Sequence, residues 1–177
     1  ASTDHTLSLL IMMLRSFVRR VTLAAAIAAP SLLSAQEAGI PVGRAAPNAA
    51  LETLDGRPAQ LSTWVGKQPV VLEFWASWCS NCKALEPELM RVSKQFARQV
   101  KFVGVAVSAN QTPERVKRYM QAHGLPLEML YDRSGRAVDA YDVPATSYVV
   151  VIDRAGKVVY TGSGGSQNLE SAIRKAL

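Results

Sequence analysis

The chain has 177 residues, of which 49% are hydrophobic and 19% are charged. This length and composition suit one globular domain with a sizeable core and exclude a largely disordered chain. The formal net charge of +6 does not predict a nucleic-acid partner, because the lysines and arginines are scattered at the spacing of a solvated surface.

The first 36 residues have the order of a secretory signal. After Met13 come a basic stretch, LRSFVRR, and an apolar stretch at 21–33, then the small residues SAQ. The apolar stretch is shorter than the roughly 20 residues that span a bilayer. We therefore predict a leader at 1–36 and a mature domain at 37–177 in the periplasm or another extracytoplasmic space.

The alternative for this leader is an uncleaved anchor, which would be the protein's contact with the membrane. A lipoprotein is not predicted, because no cysteine lies near the expected cleavage site. Residues 1–11 precede the start methionines and would be an upstream extension if translation begins at one of them.

A buried strand followed by a helix is predicted in the middle of the chain. PVVLEFWA at 69–76 is a short apolar run typical of a central strand. The next segment, KALEPELMRVSKQFARQ, repeats apolar residues at intervals of four, three and four, as one face of a helix requires. These residues are Leu85, Leu89, Val92 and Phe96.

The only two cysteines, Cys79 and Cys82, fall between that strand and that helix. A structural disulfide closing two residues would add little stability, and a zinc site would lack ligands, so we predict a redox pair and no metal. Unpaired backbone N–H groups at a helix start favour an anion and should activate Cys79. Cys82 lies one turn further on and can resolve a mixed disulfide.

The remaining elements alternate in type. Strands are predicted at 100–107, 127–131 and 146–152, and Pro113 and Gly124 bound a helix between the first two. A turn at 153–156 then leads into a hairpin strand, and SQNLESAIRKAL is predicted to be a final helix. This pattern favours an α/β fold with a mixed sheet covered by helices on both faces.

The chain resembles the thioredoxin superfamily in three stretches. WASWCSNCK, with Pro87 five residues after the second cysteine, looks like its active site. The stretch before it, VGRAAPNAALETLDGRPAQLSTWVGKQ, is similar to the entry of the TlpA-like and ResA-like extracytoplasmic branch. VPATSYVVVIDRAGKVVYTGSGG resembles the family's segment of cis-proline, strand, turn and strand. The resemblance implies a three-layer thioredoxin-like fold with a TlpA-like helix–strand insertion at 108–142.

The resemblance also implies roles for individual residues. Pro144 matches the cis-proline beside the cysteine pair, and the backbone of Val143 would pair with an extended substrate segment. Trp78 would shape the apolar surface around Cys79. These three residues are the predicted substrate-binding residues.

Glu73 is a carboxylate inside an apolar strand, where burial is costly. Thioredoxin carries a buried acid at this position, which implies that Glu73 has a raised pKa and accepts the proton of Cys82. The alternative is a glutamate that points to a sheet edge and reaches water.

The implied activity is thiol–disulfide exchange with protein disulfides or dithiols, without a bound cofactor. A membrane electron donor such as a DsbD-like reductase would regenerate the dithiol. Ser80 and Asn81, between the cysteines, supply no cation for a thiolate at Cys79, which favours a reductase. The chain has Leu85 where the ResA-like branch carries an acid, with Glu86 one step further, so a dedicated haem-protein reductase is not favoured.

Three other functions stay open at this stage. An oxidant or isomerase would use the same fold and cysteines with electrons flowing the other way. A Cu(I)-handling protein would use both thiolates as soft ligands. A peroxiredoxin-like peroxidase shares the style of the N-terminal entry, but the T-x-x-C motif is absent.

Overall fold

The buried strand predicted at 69–76 forms an inner strand of the sheet. In the computed structural model, which describes residues 38–177, this strand is Val70–Trp75, and all six of its residues are buried. It pairs in parallel with Lys101–Val107 on one side and antiparallel with Tyr148–Ile152 on the other. Burial on both faces of the sheet therefore explains why every residue of this strand except Glu73 is apolar.

Seven strands and four helices make up the described domain. The strands are β1 Ala50–Thr53, β2 Pro58–Gln60, β3 Val70–Trp75, β4 Lys101–Val107, β5 Glu128–Asp132, β6 Tyr148–Ile152 and β7 Val158–Ser163. The helices are α1 Ser80–Phe96, α2 Pro113–His123, α3 Arg136–Ala140 and α4 Leu169–Arg174, and a single 3-10 turn covers Leu61–Thr63.

The sheet has the order β2-β1-β5-β4-β3-β6-β7. The β3–β4 and β4–β5 pairs are parallel and the others are antiparallel, so the sheet is mixed as predicted. Because β4 and β5 are parallel, the chain must cross over between them, and α2 makes that crossing. The predicted insertion thus contributes both a helix and an inner strand.

Two apolar layers cover the sheet, one on each face. The helix positions predicted from their spacing, Leu85, Leu89, Val92 and Phe96, are all buried against one face, together with residues of α4. The other face packs against α3 and the 3-10 turn. This arrangement confirms the three-layer, thioredoxin-like α/β fold.

Helix α2 begins and ends at the predicted residues. The side chain of Thr112 accepts a hydrogen bond from the N–H of Arg115, and Pro113 takes the first helical position. Gly124 ends the helix with a φ of 61°, a conformation that glycine adopts without strain.

Sequence patterns did not predict β1, β2 or α3. These strands have four and three residues, too few to show an alternating pattern. Helix α3 has five residues, and its first turn is held by the buried carboxylate of Asp132, which accepts from the N–H groups of Ala137 and Val138. A helix fixed by such a contact has no periodic signal of its own.

The described domain belongs to a compact unit spanning Glu37–Leu177. Within residues 38–177, no helix is both long enough and apolar enough to cross a membrane. The leader predicted at 1–36 lies outside the described residues, and both the leader and its boundary stay predictions.

Candidate active site

Cys79 and Cys82 form a disulfide at the junction of β3 and α1, with their Cα atoms 5.3 Å apart. Cys79 is the N-cap of α1, in extended backbone geometry, and Cys82 lies in the first turn. The predicted pairing of the two cysteines is therefore present. Both are nearly buried in this oxidised state, so burial alone does not separate their roles.

The start of α1 is arranged to hold negative charge on Cys79. The Sγ atom of Cys79 accepts a hydrogen bond from the backbone N–H of Cys82 at 3.1 Å. A thiolate at this position would receive the same N–H and the positive end of the helix dipole. The residue that caps the helix is thus also the one suited to act as nucleophile.

Trp78 presents an exposed aromatic surface next to Cys79. Its side chain is among the few large hydrophobic groups left in solvent, with 42% of the residue exposed. The indole N–H donates to the backbone carbonyl of Ala109 at 2.8 Å, which fixes the ring plane. This geometry supports the predicted role of Trp78 in forming an apolar surface for a substrate.

Gln111 is a site residue that sequence patterns missed. Its side-chain Oε1 accepts from the backbone N–H of Ser77 at 2.9 Å, and its Nε2 donates to the carbonyl of Val107 at 2.6 Å. The Tyr131 hydroxyl donates in turn to the Gln111 carbonyl. These hydrogen bonds connect the loop before the cysteines to the end of β4. Because Ser77 and Gln111 are 34 positions apart, no local sequence pattern predicts their contact.

Glu73 is buried on the face of β3 that packs against α1. It lies between Gly104 of β4 and Val149 of β6, and only 4% of the residue is exposed. A glutamate that reaches water at a sheet edge is therefore excluded. Its neighbours on the same face, Val71 and Trp75, share one apolar cluster with Cys82.

The environment of Glu73 favours its neutral form. Its Oε1 has no hydrogen-bond partner among the described residues. Burial raises the pKa of Glu73 to about 8, with a smaller contribution from the negative charge of Glu86. A carboxyl group with a pKa near neutrality can both accept and release a proton under physiological conditions.

The peptide bond before Pro144 is trans, as are the others in residues 38–177, so the cis bond predicted from the resemblance is wrong for this structure. The chain turns instead through left-handed backbone at Asp142, with a φ of 48°, and at Ser147, with a φ of 65°. The N–H of Ser147 donates to the carbonyl of Phe74, which anchors this loop beside β3.

Val143 offers only part of the backbone surface that strand addition uses. Its N–H already donates to the carbonyl of Val138 at 3.0 Å, while its own carbonyl accepts no hydrogen bond from the described residues. A substrate strand would therefore have an acceptor at this residue and no free donor.

A cavity of about 280 Å³ adjoins this loop. Its walls are mostly apolar, and they include Ala109, Val138, Val143 and Thr146. Ala109 is also the residue that holds Trp78, so the cavity extends the apolar surface from the tryptophan toward the Pro144 loop.

The described residues contain no group of three or more His, Cys, Asp or Glu side chains placed to hold a metal ion. Of the predicted residues, Cys79, Cys82 and Trp78 lie at the start of α1, and Glu73 lies on the face of β3 that packs against this helix. Tyr119 and His123 of α2, for which the sequence predicted no role in the site, contact Glu86 on the next turn of α1.

A thioredoxin-like mixed sheet with a Cys-x-x-Cys disulfide at a helix start defines a thiol–disulfide oxidoreductase. The comparisons with known proteins agree. The model of the AhpC/TSA family matches residues 42–161, more than half of the chain, and the chain belongs to this family.

Individual relatives carry the same activity in their names. The chain is 34% identical over 122 residues to the thiol-disulfide oxidoreductase ResA of Bacillus subtilis, covering 69% of this chain and 67% of that protein. Two solved structures are also similar. A thiol:disulfide interchange protein of the thioredoxin family from Chlorobium tepidum has 26% identity and a TM-score of 0.65, covering 77% and 97% of the two chains. A secreted disulfide oxidoreductase of Mycobacterium tuberculosis, described as homologous to E. coli DsbE, has 26% identity and a TM-score of 0.61, covering 72% and 92%.

Proposed function

We propose that this protein is an exported oxidoreductase that reduces disulfides in other proteins. The observation that carries the direction is the identity of the two residues between the cysteines, at the start of α1. Ser80 and Asn81 are exposed there and bring no positive charge to Cys79. Strong oxidants owe their high potential to a stabilised dithiol form, and weaker stabilisation of the thiolate favours a reductant.

The reaction begins when the Cys79 thiolate attacks one sulfur of a substrate disulfide. A bond forms between Cys79 Sγ and that sulfur, and the other substrate sulfur leaves as a thiolate. Cys82 then loses its proton to the Glu73 carboxylate and attacks Cys79 Sγ. The second substrate sulfur leaves, so the substrate gains two electrons and the protein holds the Cys79–Cys82 disulfide.

Substrate contacts would come from Trp78, the Val143 carbonyl and the exposed Pro144. An extended substrate segment could lie along the Pro144 loop. The side chain of a residue adjacent to the substrate's cysteine would then enter the neighbouring cavity. These contacts are few and mostly apolar, which suits a substrate recognised largely through its backbone and accessible disulfide.

The oxidised protein must be reduced again by a dithiol donor. Because the predicted leader sends the domain out of the cytoplasm, that donor would be a membrane protein of the DsbD-like kind. The M. tuberculosis relative is described as secreted, which supports the extracytoplasmic location. Detection of a mature protein beginning near Gln36 in an extracytoplasmic fraction would test this part of the proposal.

The direction is tested by running the exchange both ways. The reduced protein is mixed with a disulfide-bonded polypeptide, and the oxidised protein with the same polypeptide reduced and unfolded. We expect the first reaction to be the faster, and Cys79→Ser to abolish both. A faster second reaction would identify the protein as an oxidant or isomerase instead.

A further inference from the structure

Glu86 is held in a fixed position by two side chains of α2. The Tyr119 hydroxyl donates to Oε1 of Glu86 at 2.5 Å, and His123 Nδ1 lies 2.9 Å from Oε2. Only 15% of the Glu86 side chain is exposed. Both oxygens of this carboxylate therefore have partners from the crossing helix, whereas Glu88, the other acid of α1, pairs with Arg91 of its own helix.

Aromatic packing makes this arrangement rigid. The rings of Tyr119 and His123 are stacked, with centroids 3.9 Å apart and an interplanar angle of 13°. On its other side Tyr119 packs against Trp75, with centroids 5.4 Å apart. Movement of Glu86 would break two hydrogen bonds, and movement of Tyr119 would disturb Trp75 beside the active site.

The same contacts place Glu86 close to the proton acceptor of the proposed reaction. Glu86 lies four residues after Cys82, one turn further along the same side of α1. Trp75, which touches Tyr119, is two residues from Glu73 on the same face of β3. The charge of Glu86 contributes to the raised pKa of Glu73, and both acids contribute to the raised pKa of Tyr119, for which burial is the largest cause.

We propose that Glu86, fixed by Tyr119 and His123, is a positioning residue that makes the Glu73 carboxylate a stronger proton acceptor by presenting a negative charge to the buried side of the active site. This role rests on the proposed function of Glu73 as the acceptor of the Cys82 proton. The α2 helix of the insertion thereby acts on the chemistry through Glu86.

The titratable groups on this side of β3 include residues of two helices. Helix α1 supplies Cys82 and Glu86, and helix α2 supplies Tyr119 and His123, both of which contact Glu86. The neighbouring strands present Gly104 and Val149 and add no charge. Lys83 Nζ lies 5.9 Å from the centroid of the Tyr119 ring and makes no salt bridge to either acid.

Removal of the Glu86 charge should make Glu73 ionise more easily, because a like charge disfavours the ionised form. In Glu86→Gln, we expect the titration midpoint of Glu73 in the oxidised protein, followed by its ¹³C carboxyl resonance, to move down by roughly 0.5 pH unit. In the resolving step, Cys82 attacks the mixed disulfide. The acid limb of the pH–rate profile of this step should also move to lower pH.

Two variants control for a merely structural effect. Glu88→Gln removes a half-buried charge from the same helix, where Glu88 pairs with Arg91, and should leave both midpoints unchanged. Glu86→Asp keeps the charge and should give a midpoint closer to that of the native protein than Glu86→Gln does. Thermal unfolding of each variant checks that the fold is retained.

The outcomes separate this inference from the function on which it rests. If Glu86→Gln leaves the Glu73 midpoint in place, or if Glu88→Gln shifts it equally, the role of Glu86 is wrong and the role of Glu73 stands. If Glu73→Gln leaves the acid limb of the resolving step unchanged, Glu73 is not the acceptor and both assignments fail.

Discussion

The side chain of Gln111 accepts a hydrogen bond from the backbone N–H of Ser77, two residues before Cys79. The hydrogen bond from Ser77 N–H to Gln111 Oε1 is 2.9 Å long, and both residues are buried. Trp78 adds a second contact between the same two loops through the carbonyl of Ala109. The loop after β4 thus sets the position from which Cys79 enters α1.

Gln111→Ala should loosen this loop and leave a buried N–H without a partner. We expect a loss of about 1–3 kcal/mol in the free energy of unfolding, the usual cost of such an orphaned group. The reduction potential of the Cys79–Cys82 pair should also change, because without the Gln111 hydrogen bond the loop no longer holds Cys79 in the same position. Urea unfolding and redox-buffer equilibration measure the two effects.

A control for this prediction is Gln121→Ala, which removes an exposed glutamine of α2. That change should alter stability by less than about 0.5 kcal/mol. Equal effects of the two substitutions would show that the Ser77–Gln111 bond contributes nothing specific.

The two cysteines should differ in their ability to trap a substrate. Cys82→Ser leaves the nucleophile and removes the resolving thiol, so a mixed disulfide should accumulate with Cys79. Cys79→Ser should trap almost nothing, because Cys82 lies inside the first helical turn and lacks the N-cap position. Non-reducing electrophoresis and mass spectrometry of the adduct distinguish the variants, and equal trapping would refute the assignment of roles.

The protonation of Glu73 predicts a particular dependence of stability on pH. Between pH 4.5, the ordinary pKa of a glutamate, and about 8, the folded protein keeps a proton on Glu73 that the unfolded chain has lost. The folded state then binds more protons, so the free energy of unfolding falls as pH rises through this window. The loss attributable to Glu73 is at most about 5 kcal/mol and is complete above the folded pKa.

Glu73→Gln should remove this decline, because glutamine does not titrate. Denaturant unfolding at several pH values from 5 to 9 would show a flatter profile for the variant than for the native protein. The half-buried Glu88→Gln provides the comparison, with a profile in this range parallel to the native one. A native profile without any decline would contradict the buried, protonated state of Glu73.

Much of the fold followed from local patterns. Short sequence patterns predicted three elements. These are the apolar run of β3, the periodic face of α1 and the Thr112-Pro113 start of α2. The position of the cysteines between a strand and a helix was also evident from the sequence. Glu73 could be singled out because a charged residue interrupts an otherwise apolar strand.

The remaining features depend on contacts between distant residues. Gln111 looks like an ordinary loop residue until it meets Ser77, and His123 looks like a favourable helix-end residue until it meets Glu86 across 37 positions. The resemblance also gave a cis bond at Pro144 that the structure does not contain. At that loop, left-handed backbone at Asp142 and Ser147 makes the turn.

The measurement that most directly tests the account is the reduction potential of the Cys79–Cys82 pair. The protein would be equilibrated against thiol redox buffers, with tryptophan fluorescence reporting the oxidised fraction, because Trp78 adjoins Cys79. A reductase with a weakly stabilised thiolate should give roughly −250 mV or lower. A value near about −120 mV would show that the protein donates its disulfide to substrates, contrary to the proposed direction.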